Sequence, residues 1–208
     1  FIQGPWLEIR RPFRTIQADM KSALPHLSGK WGIASDWVPY AHQLKTFERL
    51  AYPNPKSTIV ATGTGSGKTE CFLLPVLDAV LQMNTENIPG IKAIVIYPMN
   101  ALATDQARRF ASMCEDIVEA GGPRLTVGLY TGSPGSKSSV MKGENCVTDR
   151  NVLRRNPPDI LLTNYKMLDF LLLRREDRAL WRTTTAKSLR YLIVDELHTF
   201  DGAQGTDL

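Results

Sequence analysis

The run Ala61-Thr62-Gly63-Thr64-Gly65-Ser66-Gly67-Lys68-Thr69 leaves this chain few folds to choose from. It follows Ser57–Ala61, a β-branched stretch that reads as a buried strand. It opens a helix over Lys68–Met83 in which Leu73, Leu77, Val80 and Leu81 share one side and Pro75 predicts a kink. Glycines between a strand and a helix let backbone N–H groups turn inward, and the helix N-terminus adds the positive end of its dipole. Such a loop holds phosphate oxygens. Thr64, Gly65, Ser66 and Gly67 form its cradle, the Lys68 ammonium faces the outer phosphates, and the Thr69 hydroxyl is placed for Mg²⁺. Thr62 stands where the strict pattern has glycine. An ordinary glycine-rich turn is the competing reading, and Gly-Lys-Thr in a strand–helix setting argues against it.

Downstream, apolar runs and helical periodicity alternate. Strands are expected at Lys92–Tyr97, Leu125–Tyr130, Asp159–Thr163 and Leu189–Val194, and helices at His42–Ala51, Ala101–Ala120 and Tyr165–Leu173. This order implies an α/β fold, an open parallel sheet with helices on both faces. Residues 1–35 read instead as an irregular N-terminal extension, broken by Pro5, Pro12, Pro25 and Gly29. Its aromatics, Trp6, Phe13 and Trp31, together with Trp37, suggest a flap over the main domain at 36–208. Residues 133–158 form the longest insertion, with a short helix expected near Asp149–Arg155.

Composition narrows the class. With 208 residues, 43% hydrophobic and 22% charged, the chain can bury a core, which excludes wholesale disorder. A formal charge of +4 permits a polyanionic partner without requiring one. The apolar stretches are too short or too interrupted to span a bilayer, and the first residues lack the pattern of a secretory signal. Cys71, Cys114 and Cys146 lie far apart with no Cys-x-x-Cys pair, so neither a disulfide framework nor a zinc site is expected and a cytoplasmic location fits.

A second chemical element closes the chain: Leu192-Ile193-Val194-Asp195-Glu196-Leu197-His198, an apolar strand ending in two acids. In an open α/β sheet the carboxyl edge of the strands is where ligands bind, so Asp195 is expected beside the phosphate loop, on a strand end neighbouring that of Lys68. There Asp195 can hold Mg²⁺ and Glu196 can polarise a water for attack on the γ-phosphate of ATP. A solvated turn is the bland alternative for Asp-Glu alone, and the upstream loop weighs against it.

With Lys68 and the Asp195-Glu196-Leu197-His198 box in one chain, the sequence resembles the first RecA-like domain of superfamily 2 DEAD/DEAH-like helicases. The resemblance runs over roughly 36–208. Pro39-Tyr40-Ala41-His42-Gln43 is similar to the adenine-recognising segment, which implies that Gln43 contacts the base. Tyr97-Pro98-Met99-Asn100-Ala101-Leu102-Ala103-Thr104-Asp105-Gln106 and Leu162-Thr163-Asn164-Tyr165 are similar to strand-backbone motifs, which implies contacts from Pro98, Asn100, Thr104, Thr163 and Asn164 to nucleic acid. Capping of the following helices is an equal reading for Asn100, Thr104, Thr163 and Asn164. The segment running on to Thr199-Phe200-Asp201-Gly202-Ala203-Gln204-Gly205 is similar to large bacterial helicases of the Lhr-like and phage-defence (DISARM-type) kind.

What the resemblance implies is an ATP- and Mg²⁺-dependent motor on single- or double-stranded nucleic acid, DNA in the first instance. Lys68 and Glu196 are its catalytic pair, and Thr69 and Asp195 its metal ligands. Such motors need a second RecA-like domain with arginine fingers, worth on the order of 10³–10⁵ in rate. The chain encodes no such domain, and its last residues look like a lead-in to further structure. It is therefore read as a fragment, inactive alone, whose longer form supplies the second half. Two alternatives use the same motifs: a DNA-dependent ATPase switch that does not unwind, and a truncated remnant that binds nucleotide without turnover.

Overall fold

The computed structural model describes residues 12–28, 37–132, 138–143 and 145–200. Trp6, Trp31, Lys137 and the tail from Asp201 lie outside the described residues.

Four parallel strands, β1 (Ala93–Tyr97), β2 (Val127–Tyr130), β3 (Ile160–Asn164) and β4 (Tyr191–Val194), form a sheet in the order β2-β3-β1-β4. In register, Val95 lies opposite Leu162 on one side and Ile193 on the other. Every residue of β1 is buried, as a central parallel strand covered on both faces requires. Its side chains alternate between two cores. Ala93, Val95 and Tyr97 pack with Leu73, Leu77 and Phe110, whereas Ile94 and Ile96 pack with Leu161, Met167 and Leu171. At the amino edge, buried Lys92 donates to Asp159 Oδ1 at 2.7 Å, and Asp159 Oδ2 accepts from the Thr126 N–H and hydroxyl, both at 2.8 Å. One carboxylate thus ties together the starts of β1, β2 and β3.

Five of the seven helices fall where a helix was expected, and α1 and α7 add short turns that were not. They are α1 (Met20–Ala23), α2 (Ala41–Leu50), α3 (Lys68–Thr85), α4 (Asn100–Glu119), α5 (Arg150–Arg155), α6 (Tyr165–Leu173) and α7 (Arg178–Trp181). Helix α3 continues through the buried Pro75. Asp149 caps α5 by accepting from the Asn151 and Val152 N–H groups, which accounts for a short helix inside the insertion. Within the described part of the N-terminal extension, Asp78 of α3 accepts from the His26 and Leu27 N–H groups at 2.7 and 2.8 Å. Met20, Leu24 and Leu27 join the main core, so this segment is packed rather than appended.

One expected strand does not form. Among the described residues Ser57–Ala61 pairs with no strand, and Ile59 is 84% exposed. β-Branched residues favour a pleated surface, yet a strand exists only where a ladder partner satisfies its backbone. The edge of β4 facing this segment is also unpaired among the described residues, and Leu192 is 63% exposed there. Between the two lies a cleft of about 1040 Å³.

Candidate nucleotide and nucleic-acid site

The glycine-rich segment forms a loop closed by its own atoms. Gly65 and Gly67 take φ of +74° and +68°, the left-handed region where a side chain is strained. Thr62, the departure from the strict pattern, has a use here: its hydroxyl bonds the buried Ser66 hydroxyl at 2.6 Å, and its carbonyl accepts from Lys68 Nζ at 3.2 Å. The ammonium is therefore folded into the loop. Gly63, Lys68, Asp195 and Glu196 line one cleft. Thr69 follows Lys68 in the first turn of α3, and Thr64 lies at the exposed rim of the loop.

The loop is held from behind by the start of α2. Buried Gln43 donates from Nε2 to the Gly67 carbonyl at 3.2 Å and accepts at Oε1 from the Tyr40 N–H at 2.9 Å. In this arrangement both ends of its amide are engaged with protein, so a contact from Gln43 to a base would require exchanging those bonds. His42, which no sequence spacing singled out, lies 2.8 Å by Nε2 from the Ser66 carbonyl. Its ring stacks on Tyr40 with centroids 5.6 Å apart, and Phe13 packs on both at 5.5 and 5.7 Å. Phe13 also lies against Gly63, where an added Cβ would meet its ring at 3.7 Å. The extension thus contributes an aromatic wall to the loop. Its only sequence signal was an aromatic excess in an otherwise irregular segment.

Opposite the loop, Asp195 continues the β4 ladder, its N–H donating to the Ile96 carbonyl at 3.0 Å. Burial raises the Asp195 pKa above the ordinary carboxylate value, and neighbouring Glu196 pushes in the same direction. The Glu196 N–H, donating to Oδ1 at 2.8 Å, and the Lys68 charge act in the opposite sense. Glu196 has φ +52°, which turns the chain sharply after the strand, and its carboxylate lies 3.4 Å from His198 Nδ1. Lys68 and Asp195 therefore face one cavity although Lys68 does not follow a sheet strand; the expectation of neighbouring strand ends fails with the missing strand at Ser57–Ala61. Among the described residues no group of His, Cys, Asp and Glu forms a preassembled metal cluster. Thr69 and Asp195 supply oxygen donors of the kind Mg²⁺ prefers beside a phosphate.

The segments expected to meet nucleic acid lie at the carboxyl ends of β1 and β3. Asn164 caps α6, accepting at Oδ1 from the Met167 N–H at 2.8 Å, and donates from Nδ2 to Asn100 Oδ1 at 2.6 Å. Asn100 is the first residue of α4 rather than its cap, which is Met99. Thr104 returns its hydroxyl to the Asn100 carbonyl at 2.8 Å. Thr163 is fully buried, its hydroxyl donating to the Tyr130 carbonyl at 2.7 Å, so it braces β2 against β3. Pro98 is half-buried and Met99 is 64% exposed. The surface at these strand ends is accordingly built from Pro98, Met99, Asn100, Thr104 and Asn164. No described helix is long and apolar enough to cross a membrane.

Known proteins are similar to this chain in sequence and in fold. An uncharacterised ATP-dependent helicase of Methanocaldococcus jannaschii is 30% identical over 81% of this chain and 22% of its own length. The Druantia protein DruE of Escherichia coli is 26% identical over 85% of this chain and 15% of its own. The chain therefore spans about a fifth or less of these relatives. Among solved structures, helicase MrfA bound to DNA superposes with a TM-score of 0.59 at 26% identity, covering 92% of this chain and 24% of that one. Mycobacterium smegmatis helicase Lhr bound to ssDNA and AMP-PNP gives 0.59 at 25% identity, covering 81% and 20%. The fold is thus the RecA-like domain of ATP-dependent helicases. The DEAD/DEAH box helicase profile matches residues 40–208, and the chain belongs to that family.

Proposed function

We propose that this chain is the nucleotide-binding half of an ATP-driven helicase or translocase that acts on DNA. The observation that carries the reading is the shared cleft: a loop with left-handed Gly65 and Gly67, the Lys68 ammonium folded into it, and the Asp195-Glu196 pair across from it. The loop N–H groups of Thr64 to Gly67 and the dipole of α3 bind the phosphates, and Lys68 leaves the Thr62 carbonyl to neutralise their outer oxygens. Mg²⁺ held by Thr69 and Asp195 supplies further neutralisation of the phosphate charge. Glu196, turned out of the strand line by its positive φ, orients the attacking water and accepts its proton. Nucleic acid crosses Pro98, Asn100, Thr104 and Asn164, where short polar groups and helix-start N–H groups meet backbone phosphates without reading bases. DNA is the favoured polymer because the MrfA and Lhr structures are of DNA complexes. Thr163 acts in this surface by holding β3 rather than by contact. Arginine fingers from a second RecA-like domain, carried by a longer chain, complete the site, and a cytoplasmic setting accords with three free cysteines.

Calorimetry with ATP·Mg²⁺ tests the reading. The wild-type chain should bind, and Lys68→Ala should weaken binding by more than about tenfold, the loss of one charge-assisted phosphate contact. Equal affinities in the two would overturn the assignment of the loop. Competition between single-stranded DNA and RNA of one sequence decides the polymer, and an RNA preference would remove DNA from the proposal.

A further inference from the structure

One helix joins the surface assigned to nucleic acid with the phosphate loop. Helix α4 starts at Asn100, whose side chain is bonded to Asn164, so its first turn is tied to the end of β3 as well as β1. Nine residues on, about 13–14 Å along the axis at the usual rise, α4 carries Arg109. The Arg109 guanidinium contacts the Glu70 carboxylate. Glu70 directly follows Thr69 in the first turn of α3, and its carboxylate lies 3.1 Å from the position a Cβ on Gly67 would take. Helix α4 therefore links the Asn100–Asn164 pair, through the Arg109–Glu70 contact, to the turn that carries Lys68 and Thr69.

Neither Arg109 nor Glu70 has a part in the chemistry described above. Nor does the pair do much for stability, since its side chains are 43% and 25% exposed and solvent screens such contacts. The junction of β1 with α4 also holds a buried group with an unmet bond. The Tyr97 hydroxyl, at the end of β1, has no partner among the described residues. Burial raises its pKa, the Asp195 charge acts in the same direction and the Arg109 charge in the opposite one.

We infer that the Arg109–Glu70 pair couples nucleic-acid occupancy at the start of α4 to nucleotide affinity in the phosphate loop. Arg109 is on this view a positioning residue, acting on the loop through Glu70. The inference rests on the proposed function. A phosphate engaged at Asn100 displaces or orders α4, Arg109 moves with it, and Glu70 transmits the shift to the first turn of α3. Linkage makes the effect reciprocal: bound nucleotide must tighten nucleic acid by the same factor.

The test uses the 208-residue chain. A fluorescent ATP analogue is titrated with Mg²⁺, without and with saturating polythymidine oligonucleotide. The wild type should bind nucleotide about fivefold or more tightly with the oligonucleotide present, the lower end of typical coupling. Arg109→Gln and Glu70→Gln should each bring that ratio to about one, leaving affinity without oligonucleotide within about twofold and thermal stability unchanged, as expected for a screened surface pair. Because the variants alter opposite ends of one contact, either alone suffices if the other misfolds. Wild-type binding of both ligands with a ratio of one overturns the inference and leaves the function standing, as does a ratio that survives in a folded variant. A wild type that binds neither ligand overturns the functional reading and the inference with it.

Discussion

Gln43 stands directly behind Gly67: its Nε2 donates to the Gly67 carbonyl, and a Cβ added to that glycine would lie only 2.4 Å from the same nitrogen. The start of α2 and the last glycine of the glycine-rich loop are thus fitted to each other. Gly67→Ala has no room and a strained φ, and should abolish nucleotide binding while leaving the sheet intact. Gln43→Ala keeps the space but leaves the Gly67 carbonyl with the weak Cys71 thiol donor at 3.5 Å and takes the acceptor from the Tyr40 N–H, which should cost about 1–3 kcal/mol in urea unfolding. A Gly67→Ala chain with undiminished affinity for ATP would refute this fit.

The buried Lys92–Asp159 pair at the opposite edge should dominate the stability of the sheet. Lys92→Met leaves the Asp159 charge uncompensated and should destabilise by about 3–5 kcal/mol. The double variant Lys92→Met/Asp159→Asn should recover part of the loss, since no buried charge then remains. Denaturant titration of the two variants measures both numbers, and a single-variant loss below about 1 kcal/mol would mean that water screens the pair as it does at a surface.

Asp78 should make stability fall with rising pH. Burial raises its pKa above the ordinary carboxylate value, outweighing the His26 and Leu27 N–H donors and the nearby His26 charge. The folded state therefore holds this proton more tightly than the unfolded one. The contribution is complete below the unfolded value of 3.8 and is lost as pH rises through the elevated folded value. Asp78→Asn should accordingly gain on the wild type between pH 4 and pH 7. Parallel unfolding curves of the two proteins across that range would contradict the assignment.

The edge of β4, unpaired among the described residues, should make the chain prone to association, because an apolar strand edge is a template for further pairing. Leu192 is the exposed residue on that strand, so Leu192→Lys should reduce light scattering at high concentration with little change in melting temperature. Unchanged scattering would indicate that another surface drives association.

Much of this architecture can be read from local pattern. The alternation of apolar runs with 3.6-residue periodicity locates all four sheet strands and the long helices α3 and α4, because strands of a parallel sheet read as near-continuous apolar runs and an amphipathic helix repeats its apolar face every turn. The loop at 61–69 and the acids after β4 declare themselves because their chemistry depends on residues close in sequence. Ser57–Ala61 marks the limit of that reading. Its composition suits a strand, but a ladder needs a neighbour, and neighbours are a property of the folded chain.

Pairings across the chain were decided by tertiary structure alone. Gln43 and Gly67, Asn100 and Asn164, and Glu70 and Arg109 lie 24, 64 and 39 positions apart, and nothing local marks them as partners. The same holds for Thr163, for which the resemblance implied a nucleic-acid contact, whereas its hydroxyl lies on the Tyr130 carbonyl. By itself the sequence determined the family, the order of the four sheet strands and the longer helices, and the residue types gathered at the sheet edge, because these follow from short-range periodicity and motif spacing. Which polar group faces a ligand and which braces a strand is settled by close packing in the folded core, where each buried donor must find its acceptor.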